Sequence, residues 1–136
     1  HYWPDIPAVD AEGWFHSGDL ARQASDGSWC IVGRAKDMII SGGENIYPAE
    51  IEGVLASHPD VAECAIVGLP DAQWGEAVVA VLVLRTGHHL DVIALGDFLA
   101  ARLARYKLPR RYVVQAALPK TALGKVQKAQ LRQAIA

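Results

Sequence analysis

Three short segments carry residue types and spacings that could do chemistry: HSGDL with Asp19, GRAKDMIISGGEN with Arg34, Lys36 and a diglycine, and PKTALGK with Lys125. A carboxylate offers two acceptor oxygens, a guanidinium a fork of donors, and a lysine beside a glycine a point charge on a flexible loop. Each feature alone has a plainer explanation. Gly-Asp marks a strand bulge or turn, Arg near Lys marks solvated surface, and Gly-Lys before an apolar pattern marks a helix start.

The Gly-Lys pair invites a nucleotide-binding loop, which needs Gly, four residues, then Gly-Lys-Ser/Thr. Thr121 precedes Gly124 and Val126 follows Lys125, so that pattern fails. What is left is a cation on a glycine-flexed loop just ahead of a helix, where backbone N–H groups and the ammonium can together meet an anion.

The elements that must position these residues are short and closely connected. WFHSGDLARQ and WCIVGR flank ASDGS and predict a hairpin with an Asp-Gly turn. Residues 37–40 form a short apolar run, and SGGENIYP reads as a tight loop entering a helix with Pro48 in its first turn. Ile51, Val54 and Leu55 repeat at helical spacing, with an end near His58 and Pro59. VAECAIVGL and AVVAVLVL, separated by PDAQWGE, predict central strands. Asp91 caps a second helix running to about Arg105, with Leu95, Phe98, Leu99, Arg102 and Leu103 along one stripe. RRYVVQ is a further strand, PKTALGK a loop, and VQKAQLRQAIA a final helix with Val126, Leu131 and Ile135 on its apolar face. The order is a leading hairpin, then β, α, β, β, α, β, α, an α+β class with a small sheet carrying helices.

Taken in order, the segments resemble the end of the adenylate-forming superfamily, which includes acyl- and aryl-CoA synthetases, firefly luciferase and peptide-synthetase adenylation domains. GWFHSGDLA is similar to that family's GW(F/Y)xTGD(L/I) strand, GRAKDMIISGGENIYPAEIE to its hinge and following loop, and PKTALGKVQKAQLR to its terminal lysine motif. KDMIISGGENIYPAEIE and LARYKLP look like the fatty- and aryl-acyl-CoA ligase branch. The resemblance implies residues 1–36 as trailing strands of a large N-terminal adenylation domain and 37–136 as the mobile C-terminal domain. It implies an enzyme that activates a carboxylic, in particular a fatty, acid with ATP to acyl-AMP and transfers the acyl group to CoA, the small domain rotating between the two half-reactions.

Carried over position by position, the resemblance gives Asp19 to the ribose hydroxyls of ATP and Arg34 to the ribose and nearby phosphate. Lys36 becomes the hinge and Lys125 the catalytic lysine that bridges the acid's carboxylate and the α-phosphate. Gly42, Gly43 and Glu44 fall on the CoA side, Gly43 lining the pantetheine tunnel. Trp74 is matched to an aromatic that stacks on the adenine of CoA, with Tyr106 and Lys107 near its phosphates. Ser17 stands where Thr is usual, and Leu108 where some relatives carry a CoA-binding Arg. ATP, Mg²⁺ and CoA are the implied cofactors and co-substrate, the magnesium site lying mainly in the domain upstream. A piece of this kind is not expected to form acyl-adenylate alone. A noncatalytic binding or regulatory module of the same fold, and an acyl-AMP ligase serving a carrier protein, are the alternatives.

Composition agrees with a modest domain. The chain has 136 residues, 51% of them hydrophobic, and a formal net charge of −2, which gives no bulk electrostatic case for nucleic acid. No run approaches the length of a membrane span, and nothing at the N-terminus reads as a signal, so a cytoplasmic protein is expected. The start without Met, inside what reads as a folded segment, implies a piece of a longer protein. Cys30 and Cys64 sit in apolar runs and are expected to be buried free thiols. His88 and His89 lack partners at metal-ligand spacing, and no metal site is expected.

Overall fold

The computed structural model describes Glu12 and residues 17–136, and the chain divides into two compact units between Lys36 and Asp37. In the first unit, β1 (Asp19–Gln23) pairs antiparallel with β2 (Trp29–Arg34), with an irregularity between Leu20 and Ala21. The turn between them is closed by the Gly27 N–H donating to Ala24 O at 3.0 Å, with Gly27 at φ +89. Asp26 accepts from both the N–H and the hydroxyl of Ser28, and these bonds, the hydroxyl's first, lower its pKa. The expected hairpin is present from Asp19 onward; residues 13–16 of its first strand and the opening 1–11 lie outside the described residues. Cys30 is exposed, contrary to the expectation of burial, as are Trp29 at 69% and Ile31 at 64%. An apolar run predicts burial only where a second layer covers it, and no layer does so among the described residues of this unit.

The second unit is built on one long antiparallel pair, β5 (Val61–Asp71) and β6 (Gly75–Leu84). The free edge of β6 is shared end to end. β3 (Ile39–Ser41) joins at Gly75, and β7 (Arg111–Val114) runs parallel to the stretch from Val79 to Leu82. β4 (Glu44–Ile46) closes the sheet outside β3.

Alternation along the central strands sorts their side chains onto two faces. Ile66, Val78, Ala80 and Leu82 face one core with α1 (Pro48–Ala56) and α2 (Val92–Ala100), through Ile51, Leu55, Leu95 and Leu99. Ala65, Val67, Leu69, Val79 and Val81 face the other core with α3 (Lys128–Ile135), through Leu131 and Ile135. A sheet covered on both sides explains why these strands read as near-continuous apolar runs. The fold is α+β, as expected.

Pro48 begins α1, where its missing N–H costs nothing. Asp91 caps α2 by accepting the Ala94 N–H at 3.0 Å. Three boundaries differ from the sequence reading. The segment read as a loop after Ser41 contains β4. α2 ends at Ala100, with a separate 3-10 turn at Arg105–Lys107, because Arg102 turns back to donate to Phe98 O and lays its guanidinium 3.7 Å from the Phe98 ring centroid. Val126 lies ahead of α3, bridged to Lys120. Among the described residues no helix is long and apolar enough to cross a membrane.

Ile66 is fully buried and Ile93 is 80% exposed. Ile66→Ala should lower the unfolding free energy of the chain by about 2–5 kcal/mol in a urea titration. Ile93→Ala should change it by less than about 0.5 kcal/mol.

Candidate active site

Asp19 and Arg34 are cross-strand partners on β1 and β2, and the Arg34 Nη1 donates to Asp19 Oδ1 at 2.9 Å. Gly18, at φ +79, lets the chain turn so that its carbonyl accepts the Ala35 N–H at 2.7 Å, and Ser17 Oγ accepts the Asp19 N–H. The two side chains are therefore held together, with no further side-chain partner for Asp19 Oδ2 among the described residues. Lys36 is exposed at the last position of the first unit. Asp37, the first residue of the second, lies 3.9 Å from Arg132 of α3.

At one end of the second unit's sheet, β3 and β4 are joined by Gly42 and Gly43, at φ +58 and +81. Two successive positive φ values define the primed hairpin turn that suits strand twist and that L side chains resist. The Gly42 N–H donates to Trp74 O at 2.9 Å, and a Cβ on Gly42 would stand 2.9 Å from Trp74 Cε3. Gly43, by contrast, faces open space. Asp71 Oδ1 accepts the N–H groups of Gln73 and Trp74, fixing the β5–β6 turn that carries the indole. Trp74, Arg105, Leu108, Pro109 and Arg110 line an open cleft of about 560 Å³. The Arg110 guanidinium lies 3.9 Å from the Trp74 ring centroid, a cation–π contact.

The structure thus brings Gly42, Gly43, Glu44 and Trp74 together. Tyr106 is exposed, and Lys107 Nζ stands 5.5 Å from its ring. Lys107 also bonds both oxygens of Glu50, at 2.9 and 2.8 Å, and this pairing raises its pKa. Arg105 and Arg110 were not singled out in the sequence. Their signal was the basic run around Pro109, but nothing in a single sequence places Arg110 over a tryptophan 36 positions earlier.

At the other end, Lys125 sits on a closed turn. The Thr121 N–H donates to Lys125 O at 2.7 Å, the Gly124 N–H to Thr121 O at 2.9 Å, and the Lys125 N–H to Thr121 Oγ1 at 3.2 Å. Gly124, at φ +86, allows the reversal. Val126 and Gln127 lie between the turn and α3. Lys107, Lys120 and Lys128 each form an ion pair with a glutamate. Among the described residues, the Lys125 ammonium has no hydrogen-bond or ion-pair partner.

Lys120 binds Glu63, near the start of β5, whereas Trp74 hangs from Asp71, at its end. Eight residues of strand separate the two anchors, about 26 Å at ~3.3 Å per residue. The sheet of the second unit thus carries the anchor of the lysine turn toward one end and the tryptophan-lined cleft toward the other. Among the described residues no group of three or more His, Cys, Asp or Glu side chains could hold a metal ion.

Residues 50–125 match the AMP-binding enzyme C-terminal domain family, and the chain belongs to it. It is 51% identical over 138 residues to the indoleacetate–CoA ligase of Aromatoleum aromaticum, covering 99% of this chain and 27% of that protein. It is 48% identical over 141 residues to the medium/long-chain-fatty-acid–CoA ligase FadD8 of Mycobacterium tuberculosis, covering 96% of this chain and 25% of the relative. Among solved structures, the o-succinylbenzoate CoA synthetase of Bacillus subtilis, in complex with its acyl-adenylate intermediate, superposes with a TM-score of 0.85 at 42% identity, over 92% of this chain and 25% of that one. The chain spans about a quarter of the length of the relatives it matches.

Alanine at Gly42 or Gly43 should each cost about 1–2 kcal/mol in urea unfolding from the left-handed backbone alone. Gly42→Ala should cost more than Gly43→Ala, since only it meets the indole. Equal losses would show that the turn does not rest on Trp74.

Proposed function

We propose that this chain is the C-terminal portion of a cytoplasmic acid:CoA ligase that uses ATP to form an acyl-adenylate and then transfers the acyl group to CoA. The observation that carries the reading is the spacing of the two anchors, with the Lys125 turn tied through Lys120 to Glu63 and Trp74 tied to Asp71 eight positions further along β5. One rigid domain cannot bring both to the same reacting carbonyl at once, so each half-reaction takes one end and the domain turns between them. The division of the chain between Lys36 and Asp37 supports Lys36 as the pivot, where a residue's backbone torsions absorb the rotation.

In adenylation, the acid's carboxylate attacks the α-phosphate and pyrophosphate leaves. Two anions approach, and the unpaired Lys125 ammonium opposes the charge that builds between them. It acts as a fixed positive charge and takes no proton. Asp19 accepts from the ribose hydroxyls through its free oxygen, held by Arg34, whose other N–H groups reach the ribose and phosphate. Magnesium, when bound by the larger domain, screens the phosphates.

In thioester formation, the opposite end faces the acyl-adenylate. Gly43, with open space beside it, lets the pantetheine arm pass, with Gly42 and Glu44 on either side. Arg110 exchanges Trp74 for a CoA phosphate, and the purine takes its place on the indole, one planar group replacing another. Arg105 adds a second cation on the cleft wall, and Tyr106 flanks it. Lys107, neutralised by Glu50, contributes at its edge. The similarity to ligases for an aromatic acid and for fatty acids leaves the acid to be selected by the upstream domain, a fatty or aryl acid being the class proposed.

In the full-length ligase, Lys125→Ala should slow adenylation about a hundredfold or more, read by acid-dependent pyrophosphate exchange. Thioester formation from supplied acyl-adenylate should stay within about threefold. Equal loss of both half-reactions would sink the assignment. Lys36→Pro, which locks φ at one value, should spare adenylation and abolish overall turnover; normal turnover would rule out Lys36 as the pivot.

A further inference from the structure

The Lys125 turn stands between two other lysines, and both are tied down. On its entry side the Lys120 ammonium binds the Glu63 carboxylate of β5. On its exit side Lys128 Nζ lies 2.6 Å from Glu52 Oε1 of α1, and the same oxygen accepts the Ile66 N–H of β5 at 3.1 Å. The bridge between Lys120 and Val126 and the Gln127 N–H donating to Pro119 O at 2.8 Å draw the two sides together above these anchors.

The docking of α3 has its own apolar and backbone anchors besides these pairs. α3 is already seated by buried Leu131 and Ile135, and its last turn by Arg111 Nη1 donating to Ile135 O at 3.0 Å. Lys120 and Glu63 are both 39% exposed, and exposed pairs add little to stability. What the two glutamates do is fix where the turn points and neutralise the ammonium groups flanking Lys125. Among the described residues of this segment, Lys125 then carries the one ammonium without a carboxylate partner.

We propose that Glu52 and Glu63 are positioning residues for the Lys125 ammonium, setting its direction and removing its neighbours as rival partners for the substrate anions. This rests on Lys125 acting in adenylation. Loss of either tether leaves the lysine in place but spreads its positions and frees a competing charge. The effect falls on the adenylation kcat, with the KM values for ATP and acid little changed, and leaves the other end of the sheet untouched.

The exposed pair permits a charge swap in the full-length ligase. Glu63→Lys and Lys120→Glu should each lower the adenylation kcat about fivefold, the upper range for an exposed ion pair, with an unchanged melting temperature. Thioester formation from supplied acyl-adenylate should be unaffected, and the double variant should recover to within about twofold of the parent. Glu52→Gln, which keeps an acceptor for the Ile66 N–H, should show the same selective loss. Single variants without effect, loss of both half-reactions alike, or a double variant no better than the singles would each overturn the proposal. Lys125→Ala measured alongside separates the two ideas. If it alone is selective, the tethers are dispensable; if it is not selective, the role of Lys125 falls first.

Discussion

The second unit depends on the β5–β6 ladder being buried on both faces. Eleven residues of β5 and ten of β6 hold one hydrogen-bonded pair, irregular only between Val61 and Glu63, and alternation beyond that point sends Ile66, Val78 and Leu82 to one core and Val67, Val79 and Val81 to the other. A slip of one residue would exchange the two sets and leave α1 and α2 facing the side chains cut for α3. Both proposed ends inherit their positions from this register: Trp74 through the turn that joins the strands, and the Lys125 turn through its anchorage to Glu63 and, by Glu52, to Ile66.

That ladder was also the most legible part of the sequence. Long runs of Val, Ile and Ala with turn residues between them predict central strands, and Pro48 and Asp91 mark helix starts by mechanisms that act locally. Boundaries set by longer-range contacts were not legible. β4 carries one buried residue, Ile46, beside exposed Glu44 and Asn45, so its pairing with β3 leaves almost no apolar pattern. Val126 continues the periodicity of α3 but is recruited by Lys120 before the helix begins. The run around Cys30 shows the opposite failure, since apolarity states a demand for cover without saying what covers it.

The candidate site divides in the same way. Asp19, Arg34, Lys36 and Lys125 stand in ordered local motifs, and the motif order points to them without any coordinates. The contacts that give each residue its electrostatic setting join positions far apart in the chain: Glu63 to Lys120, Glu52 to Lys128, Glu50 to Lys107, Arg110 to Trp74. Pairing of this kind cannot be read from composition, because each of these charged residues taken singly reads as solvated surface. The structure distinguishes Lys125 from its neighbours by what it lacks among the described residues, a carboxylate partner.

The paired glycines between β3 and β4 also narrow the routes by which such a domain can diverge. Both sit where L side chains are strained, and Gly42 lies against the indole besides. Single substitutions there distort the backbone before they can offer a new contact. The bore of any passage they border is therefore close to a constant, and a descendant that takes a bulkier or differently charged acceptor must change the arginine-lined wall beyond Trp74 instead.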